Sequence, residues 1–442
     1  MIDDKIISLL REALKKSEAE QTEFVCESEE FYLTRFAENL IHQNMGRSDS
    51  TIWCRAILGK KVGVARSNNP TKEGIAELAK EAVEIARNAG EDEDFPGLVK
   101  SDKPSSEGGF YQQTFECPAN KRADDVLAIV DRAKNDDLIL AGSYQTSGTS
   151  LCVVNSLGTE QFGKVSEYRF SVTAAAQNGR SGWSQAAGRD ISRFDCTSEA
   201  ERALDKASFT GEAVTLPDGQ YTVILEPDAV ANFLLLTAFL GFGGKTLSQK
   251  RSFMSDKIGQ QIMGINITIT EDPDNPLMQY MPFDYEGVPR KKVVMVDNGL
   301  AGAGVYDSYY AKLGGTTSTG NALPPDNNYG PYPKAMVLKA GDATVDEMIK
   351  SITNGIYITR FWYLNFLNPM KTMVTGYTRD GTFLIENGKI TRPLTDMRVQ
   401  QSMVEAFSNT EMVSSQQRLI PQYGTLMLVP FLKVNNFNLS AT

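Results

Sequence analysis

The chain has 442 residues, a formal net charge of −10 at pH 7, 41% apolar residues and 23% charged residues. This length predicts two domains of roughly 200 residues each, because a single hydrophobic core rarely grows larger. The acidic charge gives no general attraction to nucleic acid. Five scattered cysteines without a CxxC spacing argue against a disulfide framework or a zinc ribbon and favour a reducing, cytoplasmic location.

The first predicted element is an amphipathic helix in MIDDKIISLLREALKK, where Ile2, Ile6 and Leu9 share one face with Ala13 and Leu14. Its acids and its lack of a long apolar stretch argue against a signal peptide. Short alternating segments up to about residue 67 then predict strands. Helical spacing predicts helices at 73–89, 121–133 and 192–207, and the segment 90–106 is predicted to be a loop. Further strands are predicted at 150–155, 160–162, 168–176 and 181–187. We therefore expect an α+β domain over residues 1–212, with helices packed on an antiparallel sheet.

The second half of the chain, residues 213–442, is predicted to be a β-rich domain. Its predicted strands are 221–225, 265–270, 291–296, 373–377, 382–385 and 425–434. Helices are expected only at about 229–241, 344–350 and 401–407. Residues 298–333 are rich in Pro and Gly and show little periodicity, so we expect a long loop of functional importance or high mobility.

An apolar run, FLLLTAFLGFGGK at 233–245, follows the strand-like segment VILEPDAVAN. The stretch 229–244 holds 16 uncharged residues interrupted by Asn232 and three glycines. A membrane span needs about 20 apolar residues. The run therefore predicts a buried helix, and no membrane contact is expected.

Histidine, the commonest catalytic base, occurs once, as His42 in LIHQN. A lone histidine among strand residues is best interpreted as a satisfied polar group, and a zinc site with two histidines is excluded for this chain. The glycine-rich GLAGAG at 299–304 has no amphipathic helix after it, so dinucleotide binding is not expected. The basic run at 290–292 is interpreted as a solvated strand start.

Acids near predicted strand ends remain as candidates for hydrolytic chemistry: Glu226, Asp228, Asp256, Asp297, Asp307 and Asp380. Each also has a structural interpretation. Asp228 is expected to cap the helix that follows it. Asp380 in TRDG is expected to form a hairpin turn with Gly381. The aromatic segment GIYITRFWYLNFLNP at 355–369 lines a peptide groove or forms a core strand pair, and the core is favoured in a β-rich domain.

Several segments, taken in order, resemble the TldD/PmbA family, also called modulators of DNA gyrase. They are GKKVGVARSN with EGIAELAKEAVEIARNAG and DEDFPGL, KRSFMSDKIGQQI, GVPRKKVVMVDNGLAGAGVYDSYYAKLGG, and GIYITRFWYLNFLNP followed by TGYTRDGTFLIENGKITRPL. The resemblance implies an α+β N-terminal domain and a barrel-like β-rich C-terminal domain. It also implies one of two types. TldD-type members bind zinc through a His-Glu-x-x-x-His stretch and a distant cysteine, whereas TldE-type (PmbA-type) members lack this site and pair with TldD in a heterodimeric protease.

The resemblance places this chain in the second type. Counting back from the family-like stretch at 257–260 puts the three motif residues on Leu235, Leu236 and Leu240. Near the C-terminus, the family's cysteine falls on Ser414. Leucine has no lone pair for zinc, so the resemblance implies no catalytic residue, no metal and no cofactor in this chain.

The expected function is that of a TldE-like subunit, inactive alone, in a protease for unfolded or small peptides. Its expected partner is a TldD-like protein or a second copy of the chain, and direct nucleic-acid binding is not expected. A peptide would be held by strand addition. The candidate groove residues are Tyr357, Thr359, Arg360, Phe361, Trp362, Thr378, Arg379 and Asp380. Two alternatives stay open: a metal-free or carboxylate-metal hydrolase using Asp228, Asp256 or Asp297, and a non-enzymatic homodimeric regulator.

Overall fold

Two β-sheets organise the chain, whose computed structural model describes residues 1–104 and 106–442. The first sheet is antiparallel and has six strands in the order β3-β2-β1-β4-β5-β6. Its strands are β1 (Gln21–Ala37), β2 (Leu40–Leu58), β3 (Lys61–Ser67), β4 (Ile139–Asn155), β5 (Glu160–Ala175) and β6 (Ser181–Gly188).

One face of the first sheet is covered by helices. These are α1 (Asp4–Lys16), α2 (Lys72–Asn88), α3 (Gln112–Phe115), α4 (Ala119–Asn135) and α5 (Cys196–Ala207). The Thr71 side chain accepts a hydrogen bond from the Gly74 backbone and so caps α2. On β1, Phe24 and Cys26 point towards these helices and pack in one core with Ile75 of α2. The amphipathic pattern of each helix therefore buries its apolar side against the sheet.

Side chains that alternate with Phe24 and Cys26 point to the opposite face of the first sheet, because successive residues of a strand point to opposite sides. Val25 lies on this face and packs with Met281 and Phe283 from the second half of the chain. Glu27 and Glu29 continue along the same face and border a cavity. The second half of the chain thus covers the face that the helices leave free.

The second sheet has 11 strands in the order β10-β9-β8-β11-β17-β15-β13-β12-β7, with β14 on β13 and β16 on β17. An additional pairing between β17 and β7 closes five of them, β17-β15-β13-β12-β7, into a ring. The strands are β7 (Gly219–Leu225), β8 (Ile269–Glu271), β9 (Val293–Asp297), β10 (Leu300–Ala301), β11 (Ala335–Leu338), β12 (Asn354–Asn368), β13 (Met373–Glu386), β14 (Lys389–Pro393), β15 (Met397–Ser402), β16 (Thr410–Gln422) and β17 (Thr425–Ala441).

Helix α6 (Pro227–Gly241) packs on this ring. Phe233 stacks on Phe361 of β12 and on Phe437 of β17, with ring centroids 4.9 and 5.9 Å apart. The remaining helices are short: α7 (Gly244–Ser248), α8 (Ser308–Leu313), α9 (Val345–Lys350) and α10 (Met403–Ser408). Within the described ranges, no helix combines the length and apolarity needed to cross a bilayer.

The predicted α+β class with a β-rich second half is confirmed, and the predicted barrel-like part is the closed ring of five strands. Helices expected at 73–89, 121–133 and 229–241 are present within a few residues. The strands expected at 160–162 and 168–176 are one strand, β5, and the stretch expected at 265–270 is a strand only from Ile269.

Two predictions about the strands of the second half were wrong. Asp380 and Gly381 form no hairpin turn, because β13 continues through them. Both have positive φ, 56° and 121°, at a register shift opposite Thr359, so they form a bulge inside the strand. The basic run at 290–292 is only partly solvated: Lys291 and Lys292 are exposed, but Arg290 is buried.

Candidate functional site

A cavity of about 1010 Å³, here called the main cavity, lies between the first sheet and α6. The first sheet contributes polar side chains, including Glu27, Glu29 and Glu167, from the face that its helices leave free. Helix α6 contributes Leu235 and Leu236. The lining also includes residues of the segments 280–290 and 323–334, Leu364 and Phe366 of β12, and the turn between β16 and β17. The cavity thus has charged side chains on one side and apolar side chains on another.

Helix α6 is held firmly where it borders the cavity. Pro227 occupies its first turn, where a fixed φ and a missing N–H cost nothing. At its other end, a Cβ added to Gly241 would lie 2.0 Å from the Phe253 ring. The Tyr332 hydroxyl donates a 3.0 Å hydrogen bond to the Leu235 carbonyl oxygen. The half-buried pair Leu235 and Leu236, here called the leucine wall, is therefore presented by a rigid element.

A smaller cavity of about 450 Å³ lies on the other side of the leucine wall. Leu235, Leu236 and Tyr423 border both cavities. The smaller cavity is otherwise lined by Asp228 and Asn232 of α6, by Trp183 and Gln185 of β6, and by the 360–365 stretch of β12. The two cavities are therefore neighbours along one helix.

Asp228 is the buried acid of the smaller cavity, with 2% of its surface exposed. The sequence predicted that Asp228 caps α6, and this prediction was wrong. The N-cap residue is Glu226, and no side chain of the described residues makes a capping hydrogen bond to this helix. Instead the Asp228 Oδ1 accepts hydrogen bonds from Gln185 Nε2 at 2.7 Å and from Trp183 Nε1 at 3.2 Å. Burial raises the pKa of the Asp228 carboxyl, and Arg418, whose Nη1 lies 3.8 Å from Oδ2, opposes this rise.

Glu226 is buried beside it and is fully engaged. Its carboxylate lies 2.9 Å from Lys206 Nζ and accepts a 3.2 Å hydrogen bond from the Thr359 hydroxyl. Lys206 belongs to α5 and Thr359 to β12. This acid therefore joins the two halves of the chain and has no role that requires access to the cavity.

Two basic side chains, Arg290 and Lys334, also line the main cavity. Arg290 is buried, and its Nη1 lies 3.8 Å from Glu271 Oε1. Its Nε and Nη1 atoms have no hydrogen-bond acceptor among the described residues. Burial, followed by the charge of Arg290, lowers the pKa of Lys334 to about 8. Two cations thus face the cavity close to one another.

The eight predicted groove residues divide into three groups. Arg360, Phe361 and Trp362 line the smaller cavity. Arg379 lies outside it, with its guanidinium 4.8 Å from the Trp362 ring centre. The others are buried or half-buried within the sheet: Tyr357, Thr359, Thr378 and Asp380. Asp380 pairs with Arg360, which also lies 3.9 Å from the Trp183 ring centre.

The four positions that the resemblance assigns to zinc are not all at the cavities. All three leucines pack against the core of the second half, but only Leu235 and Leu236 also line both cavities. Ser414 is buried in β16, where its hydroxyl donates to the Gln416 carbonyl and accepts from the Phe431 N–H. Ser414 is among the lining residues of neither cavity. Leucine carries no lone pair, so the leucine wall does not fit a zinc ion.

The other sequence-derived candidates are not brought together. Asp256 and Asp297 are exposed and line neither cavity, so they do not join Asp228. Asp307 caps α8 by accepting from the Tyr310 N–H at 2.7 Å. His42 is exposed on β2. In the part of the chain described, no three His, Cys, Asp or Glu residues are grouped closely enough to hold a metal ion.

Most polar residues of the main cavity were missed by the sequence analysis. Glu27, Glu29 and Glu167 share the odd positions of their strands with Val25 and Val165, and their even-numbered neighbours include Ser28 and Ser166. No simple alternation of polar and apolar residues therefore marked this face in the sequence. Arg290 and Lys334 had no signal either, because each lies in irregular chain just before a strand. Only their neighbours in space identify them.

Comparison with known proteins places the whole architecture in a family. Residues 218–441 match the PmbA/TldA metallopeptidase C-terminal domain, and residues 23–86 match PmbA/TldA metallopeptidase domain 1. The crystal structure of TldE from Thermococcus kodakarensis has a TM-score of 0.89 at 22% sequence identity, covering 98% of this chain and 99% of that chain. This similarity establishes a shared fold.

Two relatives in sequence cover smaller parts. An uncharacterized protein of Methanocaldococcus jannaschii is 28% identical over 275 residues, which are 61% of this chain and 63% of that protein. A Haemophilus influenzae protein named metalloprotease TldD homolog is 26% identical over 226 residues, which are 50% of this chain and 46% of that protein. The matched parts span less than two thirds of either relative.

Proposed function

The chain belongs to the PmbA/TldD family of metallopeptidase homologues, and from this membership we propose that it is a TldE-type subunit of a heterodimeric protease for unfolded or small peptides. In this proposal the zinc and the catalytic residues reside in a TldD-type partner. Residues 1–212 form its N-terminal α+β domain and residues 213–442 its C-terminal β-rich domain.

The observation that carries the proposal is the leucine wall. Leu235 and Leu236 stand where the resemblance expects a histidine and a glutamate; they are half-buried at the edge of the core and line the main cavity. A cavity of this volume is large enough for a peptide segment. An apolar wall there binds apolar side chains and has no ligand for a metal.

A second feature supports peptide binding by strand addition. Strand β12 pairs with β7 only over Gly355–Ile358, and with β13 over most of its length. In the described structure, the β7 side of β12 carries no strand beyond Ile358, and residues 360–365 of this stretch border the smaller cavity. An unpaired strand edge offers backbone N–H and C=O groups to any extended peptide, independent of its sequence.

The decisive experiment combines metal analysis, mass measurement and a peptidase assay. The purified chain is studied alone and after mixing with a TldD-type protein from the same organism. We expect no stoichiometric zinc and no cleavage of an unfolded peptide by the chain alone, and a 1:1 complex with peptidase activity after mixing. Stoichiometric zinc in the chain alone would contradict the proposal.

The same experiment separates the two alternatives. A carboxylate-dependent hydrolase would cleave the peptide without a partner and lose that activity in Asp228→Asn. A homodimeric binding protein would keep its mass unchanged when the TldD-type protein is added. The variant Asp274→Asn is the matched control, because Asp274 is exposed and lines neither cavity.

A further inference from the structure

We propose that Arg290 and Lys334 form a carboxylate-binding subsite of the main cavity. The inference deepens the proposed function, on which it rests for one point only, that the carboxylate is carried by a peptide. The structural basis of the subsite is the set of unsatisfied donors on Arg290 and the arrangement of charged groups around them.

Arg290 is held in place but not satisfied. Its guanidinium lies 5.2 Å from the ring centre of Tyr280, and Arg189 lies 5.3 Å from the same ring centre. Tyr280 is itself fixed by a 3.0 Å hydrogen bond from its hydroxyl to the Gly424 carbonyl. Among the described residues, Nε and Nη1 of Arg290 nevertheless have no hydrogen-bond acceptor. Buried donors without partners are costly, so this guanidinium has unused capacity for an anion.

The nearest acid cannot satisfy Arg290. Glu271 is fully buried, and its carboxylate already accepts hydrogen bonds from Asn321 Nδ2 at 3.0 Å, from the Lys334 N–H at 3.1 Å and from the Ala335 N–H at 2.9 Å. Its 3.8 Å separation from Arg290 Nη1 is too long for a hydrogen bond. Glu271 therefore balances the charge of Arg290 without using its donors.

Lys334 adds a second unpaired cation. Nothing in the described chain forms a salt bridge or hydrogen bond with its Nζ, which interacts with Arg290, Glu271 and Glu27 only through longer-range electrostatics. Nζ lies 5.7 Å from the ring centre of Tyr332, whose hydroxyl is bonded to the Leu235 carbonyl. This contact places the ammonium next to the leucine wall.

The other charged side chains of the cavity have hydrogen-bonding partners of their own, although the partner of Glu29 lies outside the lining and that of Glu27 is a hydroxyl. Glu167 pairs with Arg169 and with Arg189. Glu29 pairs with Arg47 at 3.2 Å, and Glu27 accepts a hydrogen bond from the Tyr285 hydroxyl. Arg290 and Lys334 are thus the cations of this lining without a hydrogen-bonded acid. A guanidinium and an ammonium together are suited to a carboxylate.

The test uses three N-acetylated hexapeptides of alanine and leucine and the full chain, with dissociation constants from calorimetry. The first peptide ends in a free carboxylate and the second in an amide. The third has the amide end and one internal glutamate. We expect the free carboxylate to bind about tenfold tighter than the amide, as charge-assisted hydrogen bonds imply. Lys334→Gln should abolish this difference, and Lys339→Gln, at an exposed lysine near in sequence, should preserve it.

The peptides also identify the source of the carboxylate. Tighter binding of the first peptide alone assigns a peptide C-terminus, and equal tightening by the glutamate peptide assigns any accessible carboxylate. Equal affinity of the first and second peptides for the unmodified chain overturns the subsite but leaves peptide binding intact.

If none of the peptides binds, the proposed function fails, and the subsite is judged separately by amine labelling. N-acetylalanine should then protect Lys334, but not Lys339, from an amine-reactive reagent. Absence of this protection overturns the subsite.

Discussion

The side-chain amide of Gln185 donates a 2.7 Å hydrogen bond to the carboxylate of Asp228. Gln185 lies on β6 of the first sheet, and Asp228 lies in the first turn of α6, which packs on the second sheet. Trp183, two residues before Gln185, donates to the same oxygen. One buried acid therefore joins the two halves of the chain at the smaller cavity, so its primary effect is on the positioning of α6.

Replacement of Asp228 by alanine should lower the free energy of unfolding by about 2–4 kcal/mol. The change leaves the Trp183 and Gln185 donors without an acceptor and removes a buried partner of Arg418. Urea denaturation measures the change. The control Asp256→Ala, at an exposed acid, should stay within about 0.5 kcal/mol of the unmodified chain. Equal unfolding free energies for the two variants would show that Asp228 does not stabilise the contact between the two halves of the chain.

The leucine wall predicts different costs for neighbouring leucines. Leu234 is fully buried, and Leu234→Ala should cost about 2–5 kcal/mol. Leu236 is half-buried beside both cavities, so Leu236→Ala should cost less than half as much, because little new cavity is created. The unfolding free energies of the two variants, measured side by side, test this order. A larger loss at Leu236 would mean that it is a core residue.

Periodicity was sufficient to predict the elements that bury one face. The helices α2 and α6 and the two-residue alternation of β1 were visible because burial itself imposes those patterns. The bulge at Asp380 was not, since Asp-Gly with positive φ serves a hairpin turn and a bulge equally well. The pairing of the neighbouring residues decides between the two. Because β13 remains paired with β12 on both sides of Asp380, the Asp-Gly pair forms a bulge.

The candidate site was less predictable than the fold. Leu235 and Leu236 could be assigned to it through the family resemblance, and Arg360 and Trp362 through their aromatic segment. Lys334 was not found, because its burial, which is the main cause of its lowered pKa, and its closeness to Arg290 arise only in the folded chain. The burial of Arg290 was not predicted for the same reason. A run of basic residues predicts solvent exposure unless its partners in the folded chain are known.

Close packing at the end of α6 predicts a strong effect of one methyl group. Gly241→Ala should cost about 1–3 kcal/mol, because its Cβ would lie 2.0 Å from the Phe253 ring and force this ring or the helix to move. Gly90→Ala is the matched control, since a Cβ there meets nothing within 4 Å, and it should be nearly neutral. Thermal or urea unfolding measures both. A neutral Gly241→Ala would show that α6 yields easily.

Lys334 predicts a pH dependence of stability. Its folded pKa of about 8 lies below the ordinary lysine value of 10.5, chiefly because burial disfavours the charged ammonium. Below pH 8 Lys334 is protonated in both the folded and the unfolded chain, so the folded chain bears the full cost of burying the charged ammonium. Between pH 8 and 10.5 the unfolded chain binds more protons, so the unmodified chain gains stability relative to Lys334→Gln as pH rises.

The measurement is the difference in unfolding free energy between Lys334→Gln and the unmodified chain from pH 7 to 10.5. Lys334→Gln should be more stable at pH 7 by on the order of 1–3 kcal/mol, since one pKa unit corresponds to about 1.4 kcal/mol. This advantage should disappear towards pH 10.5. Lys339→Gln removes the same charge at an exposed position and should show no such trend. A constant advantage for Lys334→Gln would contradict the lowered pKa.

Two hairpin turns of the second sheet have positive φ at both central residues but differ in the first of these residues. Tyr423 and Gly424 connect β16 to β17 with φ of 45° and 74°, and Asn387 and Gly388 connect β13 to β14 with φ of 51° and 76°. Positive φ at both central positions defines a type I′ turn, in which asparagine is favoured at the first. A tyrosine there is strained. We therefore expect Tyr423→Asn to stabilise the chain by about 0.5–1 kcal/mol, and Asn387→Tyr to destabilise it by a similar amount.

The strained tyrosine has a location that its counterpart lacks. Tyr423 is 88% exposed and borders both cavities beside the leucine wall. Strain retained at such a position is typical of a binding site, so Tyr423→Asn should weaken peptide binding roughly two- to tenfold, as expected for the loss of one aromatic contact. Asn387→Tyr should leave peptide affinity unchanged, because Asn387 borders neither cavity. Calorimetry with the hexapeptide amide separates the two effects: a gain in stability with no loss of affinity would mean that the tyrosine does not contact the peptide.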